Sequence, residues 1–376
     1  MTSRLPRAAV TLNRGSSSVK SALFSLDRPL RSIRHETIDC GDTSTLEPVL
    51  TWIADQRAAW DIVAFGHRLV HGGRAFAEPQ RITDDVIDQL QHLIDFAPNH
   101  LPGELALIDL VRHAHPEALH VACFDTAFHR DLPELARRLP IPSRYDEDGI
   151  RAYGFHGLSC TFLLDELERV AGLAAASGRV ILAHLGSGSS LTAVVNRRPV
   201  DTSMTFSPTS GLIMSTRSGD LDPALVTYVE RHYKMTPENL EDLVTHSSGL
   251  LGISGTTGDM RELLQCEGTN PAARLAVDMY CYRIRKMIGA YAAVLGGLDT
   301  VVFSGGIGEH APAVRARIAR GLAFLGITID PERNAEGAGV VSHIDGPITV
   351  RVIATDEEAV IARAVSALWL PLQSKE

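Results

Sequence analysis

The chain has 376 residues, 45% of them hydrophobic and only 6% aromatic, which is enough apolar material for two ordinary domains with separate cores. Its 45 acidic against 36 basic side chains leave a net charge of −9, which argues against general binding to nucleic acid or to an anionic membrane, since both need a positive field. Cys40, Cys123, Cys160, Cys266 and Cys281 are odd in number, widely spread and without a CxxC pair, so neither a disulfide framework nor a zinc module is indicated.

The opening stretch MTSRLPRAAVTLN carries arginines but no apolar core, so a secretory leader is not expected. Val10, Thr11 and Leu12 then lead into NRGSSS at 13–18, followed by an apolar run at 19–26, which reads as strand, turn, strand. Glycine and serine in such a turn can present backbone N–H groups and hydroxyls to an anion without adding bulk. A helix is expected over 45–60, from apolar spacing at Leu46, Val49, Leu50, Ile53 and Ala54, and a short buried strand over 62–65. The strand ends in GHRLVHGGR. His67 and His71 are four apart but lack the glutamate and the helical setting of a zinc motif, so they read as turn or pocket histidines. Arg68 sits where α/β proteins bind ligands, and its planar fork suits a carboxylate or phosphate; a surface salt bridge is the alternative for a lone arginine.

APNHLP at 97–102 is a proline-bracketed loop before an apolar helix over 103–113, and the next buried strand, 121–124, delivers Asp125. A strand-end aspartate is a natural magnesium ligand or water-holder in phosphoryl transfer, and equally a helix N-cap. A polar connector at 140–148 precedes YGFHG, in which His156 stands between glycines and can reach into a cleft. The pattern over 158–176 reads as one crossover helix, with a hinge expected in that connector or at Ser177 and Gly178.

A second copy of the opening motif follows: VILAHLGSGSSLTAVV from 180 is again strand, glycine-serine turn, strand, and its GSS lies close to half a chain length from the first. That spacing suggests two similar domains rather than a short-period solenoid. Beyond a loop rich in Ser, Thr, Pro and Gly stands Arg217. Asp220 and Asp222 could suggest a metal, but Asp222 followed by Pro223 and an apolar helix favours an N-cap. Two further glycine-rich turns follow, GLLGISGTTGDMR from 249 and VVFSGGIGE from 301; the latter opens from a buried strand into a helix, where a nucleotide could rest. The apolar run 287–298 is too short to span a bilayer and reads as a buried helix. Glu357 and Glu358 precede a closing helix over 359–368, where first-turn acid is favourable.

Taken together, NRGSSSVK, GHRLVHGG, CFDTAFH, YGFHG, HLGSGSS, TRSGDLDP, GISGTTGDMR, FSGGIGE and TDEE resemble the acetate kinase family, in order and from Asn13 to Glu358. The resemblance implies an α/β fold of two duplicated RNase H-like domains, of the superfamily that joins acetate and sugar kinases, heat-shock ATPases and actin, with the active site in the cleft between them. It implies an N-terminal domain over 1–150, completed by the C-terminal helix 359–376, and a nucleotide-binding domain over 151–358. The implied activity is reversible phosphoryl transfer from ATP to acetate, giving acetyl phosphate and ADP, with magnesium as cofactor and manganese as the alternative ion. A cytoplasmic homodimer acting on small molecules is expected, with no nucleic-acid or membrane partner.

By the same resemblance Asn13 and Glu357 are magnesium-site residues, and Lys20, Ser16 and Ser18 belong to the phosphate environment. Arg68 holds the substrate carboxylate, Asp125 is the catalytic aspartate, and His156 and Arg217 stabilise the transition state. His184, Leu185, Gly186, Ser187 and Gly188, then Asp259, Met260 and Arg261, then Gly306, Ile307, Gly308, Glu309 and His310 are the nucleotide-binding segments. A carboxylate is already nucleophilic, so Asp125 is expected to organise magnesium or substrate rather than to abstract a proton. Val70, Asn99, Phe155 and Pro208 map to the acyl pocket. Ser187, Cys160, His310 and Asn99 depart from the usual residues; Asn99 puts a polar group beside a methyl and leaves propionate or another short acid open as substrate. A nucleotide-binding regulator without catalysis is the reading from a different class, opposed by the joint presence of Arg68, Asp125 and Arg217.

Overall fold

A computed structural model describes residues 5–15, 18–27, 29–40 and 46–373. The chain divides into two compact units, residues 1–130 with 356–376, and residues 131–355. The first holds strands β1 (Arg7–Arg14), β2 (Ser18–Ser25), β3 (Arg31–Asp39), β4 (Asp61–Leu69), β5 (Gln80–Arg81) and β6 (Leu119–Phe124) in one sheet of order β3-β2-β1-β4-β6-β5. The second holds β7 (Val180–Leu185), β8 (Ser189–Val195), β9 (Arg198–Thr202), β10 (Thr300–Ser304) and β11 (Thr349–Val352), ordered β11-β10-β7-β8-β9.

The two sheets share one topology. In each, the first three strands form an antiparallel meander and two later strands add in parallel beside the first, β4 and β6 in one unit and β10 and β11 in the other. The glycine-serine turn joins the first and second strands of both meanders. Parallel strands buried on both faces read as continuous apolar runs, as β6 and β10 do: every residue of each is buried. The first core gathers Val10, Leu12, Val19, Phe65, Leu107 and Val111; the second is built on the helix Pro271–Val294, through Val277, Tyr280, Ile284 and Ile288, against Ile181, Ala183 and Val301.

Several elements differ from the sequence expectation. The strand expected over 62–65 runs on to Leu69, so Arg68 lies within it. The single helix expected over 158–176 is two, Gly157–Ala171 and Leu173–Ser177, broken at Gly172, whose φ of 84° only glycine adopts readily. The turn read from 249 contains the helix Gly249–Ser254, and the connector at 140–148 contains a helical turn, Arg144–Glu147. The expected cap at Asp222 is present: its carboxylate accepts from the Ala224 N–H at 2.8 Å, which takes it away from metal binding. Among the described residues no helix is long and apolar enough to cross a membrane.

Candidate active site

In the first unit the candidate residues gather at the carboxyl ends of β1, β4 and β6. Parallel strands bring their ends into line, so Asn13, Arg68 and Asp125 arrive on one edge of the sheet from three separate parts of the sequence. The Asp125 N–H continues the ladder to the Leu69 carbonyl at 2.9 Å. Arg68 donates from Nε at 3.1 Å and Nη2 at 2.5 Å to the same oxygen, Asp125 Oδ2, and from Nη1 to the Arg14 carbonyl at 3.2 Å. The other oxygen, Asp125 Oδ1, is buried and receives no hydrogen bond among the described residues. Burial works against the Arg68 cation, but Asp125, Glu104 and Glu357 more than offset it and hold the guanidinium firmly charged.

Glu357, at the start of the helix Glu357–Gln373, accepts from Asn13 Nδ2 at 2.9 Å, and Glu358 accepts from the same amide at 3.2 Å. Burial, with Asp125 nearby, pushes the Glu357 carboxyl up to about 7, against Arg68 and Lys20. Glu357, Glu358 and Asp125 outnumber the cations facing them, and an acceptor oxygen is left over. Such a donor set, oxygen only and carrying surplus negative charge, fits a hard divalent cation. Among the described residues no group of three or more His, Cys, Asp or Glu side chains is arranged to hold a metal ion, so these side chains alone do not make a complete metal site.

Lys20 is exposed on β2, directly opposite Asn13 in the strand register. Ser18 begins β2, and its carbonyl accepts from the Gly15 N–H at 2.7 Å; Ser16 lies outside the described residues. Val70 is buried, whereas Asn99 is exposed in the turn before the helix Leu101–Ala114. Sequence reasoning passed over Glu104. It is 3% exposed, accepts from the Val70 N–H at 3.0 Å, and places its other oxygen 3.6 Å from Arg68 Nη1.

In the second unit a separate set converges on the hairpin between β7 and β8. His156 takes a left-handed conformation, φ 57°, which ends the approach from Phe155 and starts the helix Gly157–Ala171. Its Nδ1 lies 2.9 Å from Ser190 Oγ, and its ring packs 4.3 Å from that of His184, whose Nδ1 lies 2.8 Å from Ser159 Oγ. Arg217 donates Nη1 to the Pro208 carbonyl at 3.2 Å. A Cβ added at Gly188 would meet His156 Nε2 at 3.2 Å and Arg217 Nη1 at 3.3 Å, so this glycine lets two cationic or donor side chains approach one backbone position.

Ser187 is exposed at the tip of that hairpin, Leu185 belongs to the core, and Gly186 lies beside the Gly306 backbone nitrogen. Gly305, at φ 75°, turns the chain from β10 into the helix Gly305–His310; its N–H donates to Glu309 Oε1 at 2.8 Å. Glu309 thus ties its own loop together, also accepting from the Thr355 N–H at 3.3 Å. Ile307 packs on the core, Gly308 is buried and His310 is largely exposed. Asp259 caps the helix Met260–Cys266 and pairs with the exposed Arg261 at 2.8 Å, while Met260 faces the core.

The family described as "Acetokinase family" matches residues 35–363. An acetate kinase of Rhodopseudomonas palustris is 44% identical over 319 residues, 84% of this chain and 80% of that protein. Among solved structures, a propionate kinase of Francisella tularensis superposes with a TM-score of 0.88 at 32% identity, covering 96% of this chain and 99% of that one. An acetate kinase of Porphyromonas gingivalis superposes with a TM-score of 0.84 at 33% identity, over 96% and 99% of the two chains.

Proposed function

The chain belongs to the acetokinase family and is a kinase, and from that premise we propose that it transfers the γ-phosphoryl group of ATP to acetate. The observation that carries the reading is a basic group in each unit: Arg68 held at a strand end by Asp125, and His156 with Arg217 against Gly188. Phosphoryl transfer asks for alignment and for positive charge on the equatorial oxygens rather than for covalent chemistry by the protein. Arg68 orients the acid, whose carboxylate oxygen attacks the γ-phosphorus as the bond to ADP breaks. His156 and Arg217 donate to the phosphoryl oxygens as charge spreads over them. Asp125 holds Arg68 through one oxygen and needs no proton transfer, because the nucleophile is already an anion.

Asn13 and Glu357, with the spare oxygen of Asp125, would hold a divalent ion, magnesium on this reading, which when bound neutralises charge on the phosphates. Lys20 and Ser18 are assigned to the phosphate environment, and the hairpin at Gly186–Gly188, the Gly306 loop and the Asp259 cap to the nucleotide. On the same reading the protein works as a cytoplasmic homodimer, which sedimentation of the purified protein checks.

Propionate is the second reading, favoured by the likeness to the propionate kinase structure and left open by Asn99. Hydroxylamine trapping of the acyl phosphate formed from ATP separates them. Highest kcat/KM on acetate supports the first, highest on propionate the second, and nucleotide binding without turnover on any short acid overturns both.

A further inference from the structure

The helix Leu101–Ala114 turns one face to the core, carrying Leu101, Glu104, Leu107, Ile108 and Val111 at helical spacing. A carboxylate therefore stands where that pattern calls for an apolar side chain. Burial pushes it up to about 7 while Arg68 and the Val70 N–H work to keep it charged. An acid buried with one oxygen lacking a hydrogen bond is poor stabilisation, since replacing such a group with a packed apolar one is often neutral or better. Its partners suggest another purpose.

Glu104 Oε2 accepts from the Val70 N–H at 3.0 Å, and Oε1 stands 3.6 Å from Arg68 Nη1. Arg68 is the penultimate residue of β4 and Val70 follows directly after that strand's end, so Glu104 reaches both the arginine and the backbone where the strand closes. The anchor is itself anchored: Arg14 lies across Gly103, where a Cβ would come within 2.8 Å of the guanidinium, and Arg14 Nη1 donates to the Gly103 carbonyl at 2.8 Å. The Arg14 carbonyl in turn receives Arg68 Nη1. Of the five guanidinium N–H donors of Arg68, Asp125 takes two and the Arg14 carbonyl one, so two remain for an incoming carboxylate.

We propose that Glu104 is a positioning residue that sets acid selectivity: one carboxylate fixes both the arginine that takes the acid's head and the backbone of the valine that walls its acyl tail. The proposal rests on the reading above, in which Arg68 and Val70 face the substrate.

Its test is a comparison of Glu104→Gln and Glu104→Ala with the unsubstituted enzyme on acetate and propionate, with KM for ATP measured alongside. The amide of Glu104→Gln still accepts from the Val70 N–H but no longer compensates Arg68. We expect KM for the acid to rise roughly tenfold or more, with the acetate-to-propionate ratio of kcat/KM within about twofold of the original. Glu104→Ala also releases Val70, so that ratio should shift by at least roughly threefold, while KM for ATP stays within about twofold in both variants. Equal loss on both acids in Glu104→Ala, or KM for ATP rising along with KM for the acid, would reduce Glu104 to a general structural role and overturn the proposal. Should the alanine variant fail to fold, the near-isosteric glutamine variant decides: an unchanged KM for the acid overturns the proposal. Turnover by the unsubstituted enzyme on neither acid would overturn the kinase reading and this inference with it, an outcome distinct from normal turnover with unaffected variants.

Discussion

Gly188→Ala probes the His156–Arg217 group of the second unit with the smallest available change. The added methyl would lie 3.2 Å from His156 Nε2, 3.4 Å from His156 Cε1 and 3.3 Å from Arg217 Nη1, a few tenths of an ångström inside ordinary contact. Gly188 has no positive φ, so alanine strains no backbone, and both neighbours are ends of side chains that can swing aside. The fold should therefore lose less than about 1 kcal/mol. Catalysis should suffer more, because a misplacement of about 1 Å in a phosphoryl-stabilising group costs on the order of a hundredfold, and two such groups move together here. We expect kcat to fall roughly tenfold, KM for acetate to hold within about twofold, and the melting temperature to stay within about 3 °C. The assay is steady-state hydroxamate formation beside a thermal melt. An unchanged kcat in a folded variant would refute the assignment of His156 and Arg217 to the transferring phosphoryl group.

Four further outcomes follow from the same geometry. Gly305→Ala should behave oppositely to Gly188→Ala: its φ is 75° and a Cβ would lie 2.7 Å from the Leu185 carbonyl, so denaturant unfolding should show a loss of about 2 kcal/mol or more. Arg68→Met should leave Asp125 and Glu104 buried without their cation, lowering stability by about 3 kcal/mol and raising KM for the acid, while Arg217→Ala should lower kcat at least a hundredfold with little change in melting temperature. Stability should also fall on acidification. Burial pushes His71 and His120 down to about 4 and His129 to about 3, and holds His67 well below its ordinary value, so these four take up protons only on unfolding once the pH drops below 6.5. Glu104 and Glu357, raised to about 7, work in the other direction from two sites, but the histidines outnumber them, so stability should fall as the pH drops from about 6.5 toward 4.5. Urea unfolding at pH 7.5, 6.0 and 5.0 checks it, and a flat or rising stability would contradict the sign.

Local chemistry was the legible part of the sequence. The two glycine-serine turns, their apolar flanks and the half-chain spacing between them announced a duplicated strand-turn-strand unit, and the matching sheet orders bear the duplication out. Asp222 with Pro223 gave a cap correctly because capping depends on neighbouring residues alone. What failed was extent: Gly172 inside an apolar pattern did not show whether the helix would continue or turn, and the glycines near 249 hid a helical turn whose stability comes from packing on the Pro271–Val294 helix. Arg68 and Asp125 could be picked out as strand-end residues and Asn13 through the family resemblance, but their meeting depends on parallel pairing between segments far apart in the chain. Glu104 was missed because a first-turn acid looks like ordinary helix-dipole complement. The signal was available: its spacing to Leu107, Ile108 and Val111 puts it on the buried stripe, where an acid needs a partner.

The central claim, transfer of the phosphoryl group to a carboxylate oxygen of the acid, is tested most directly by following oxygen. Acetate labelled with ¹⁸O in both oxygens is incubated with enzyme, ATP and magnesium, the acyl phosphate is cleaved at carbon with hydroxylamine, and the released phosphate is examined by mass spectrometry. If the acid's oxygen attacks phosphorus, that phosphate carries one ¹⁸O. Phosphate free of label, formed along with ADP, would mean that water rather than the acid receives the phosphoryl group, and the account would be wrong.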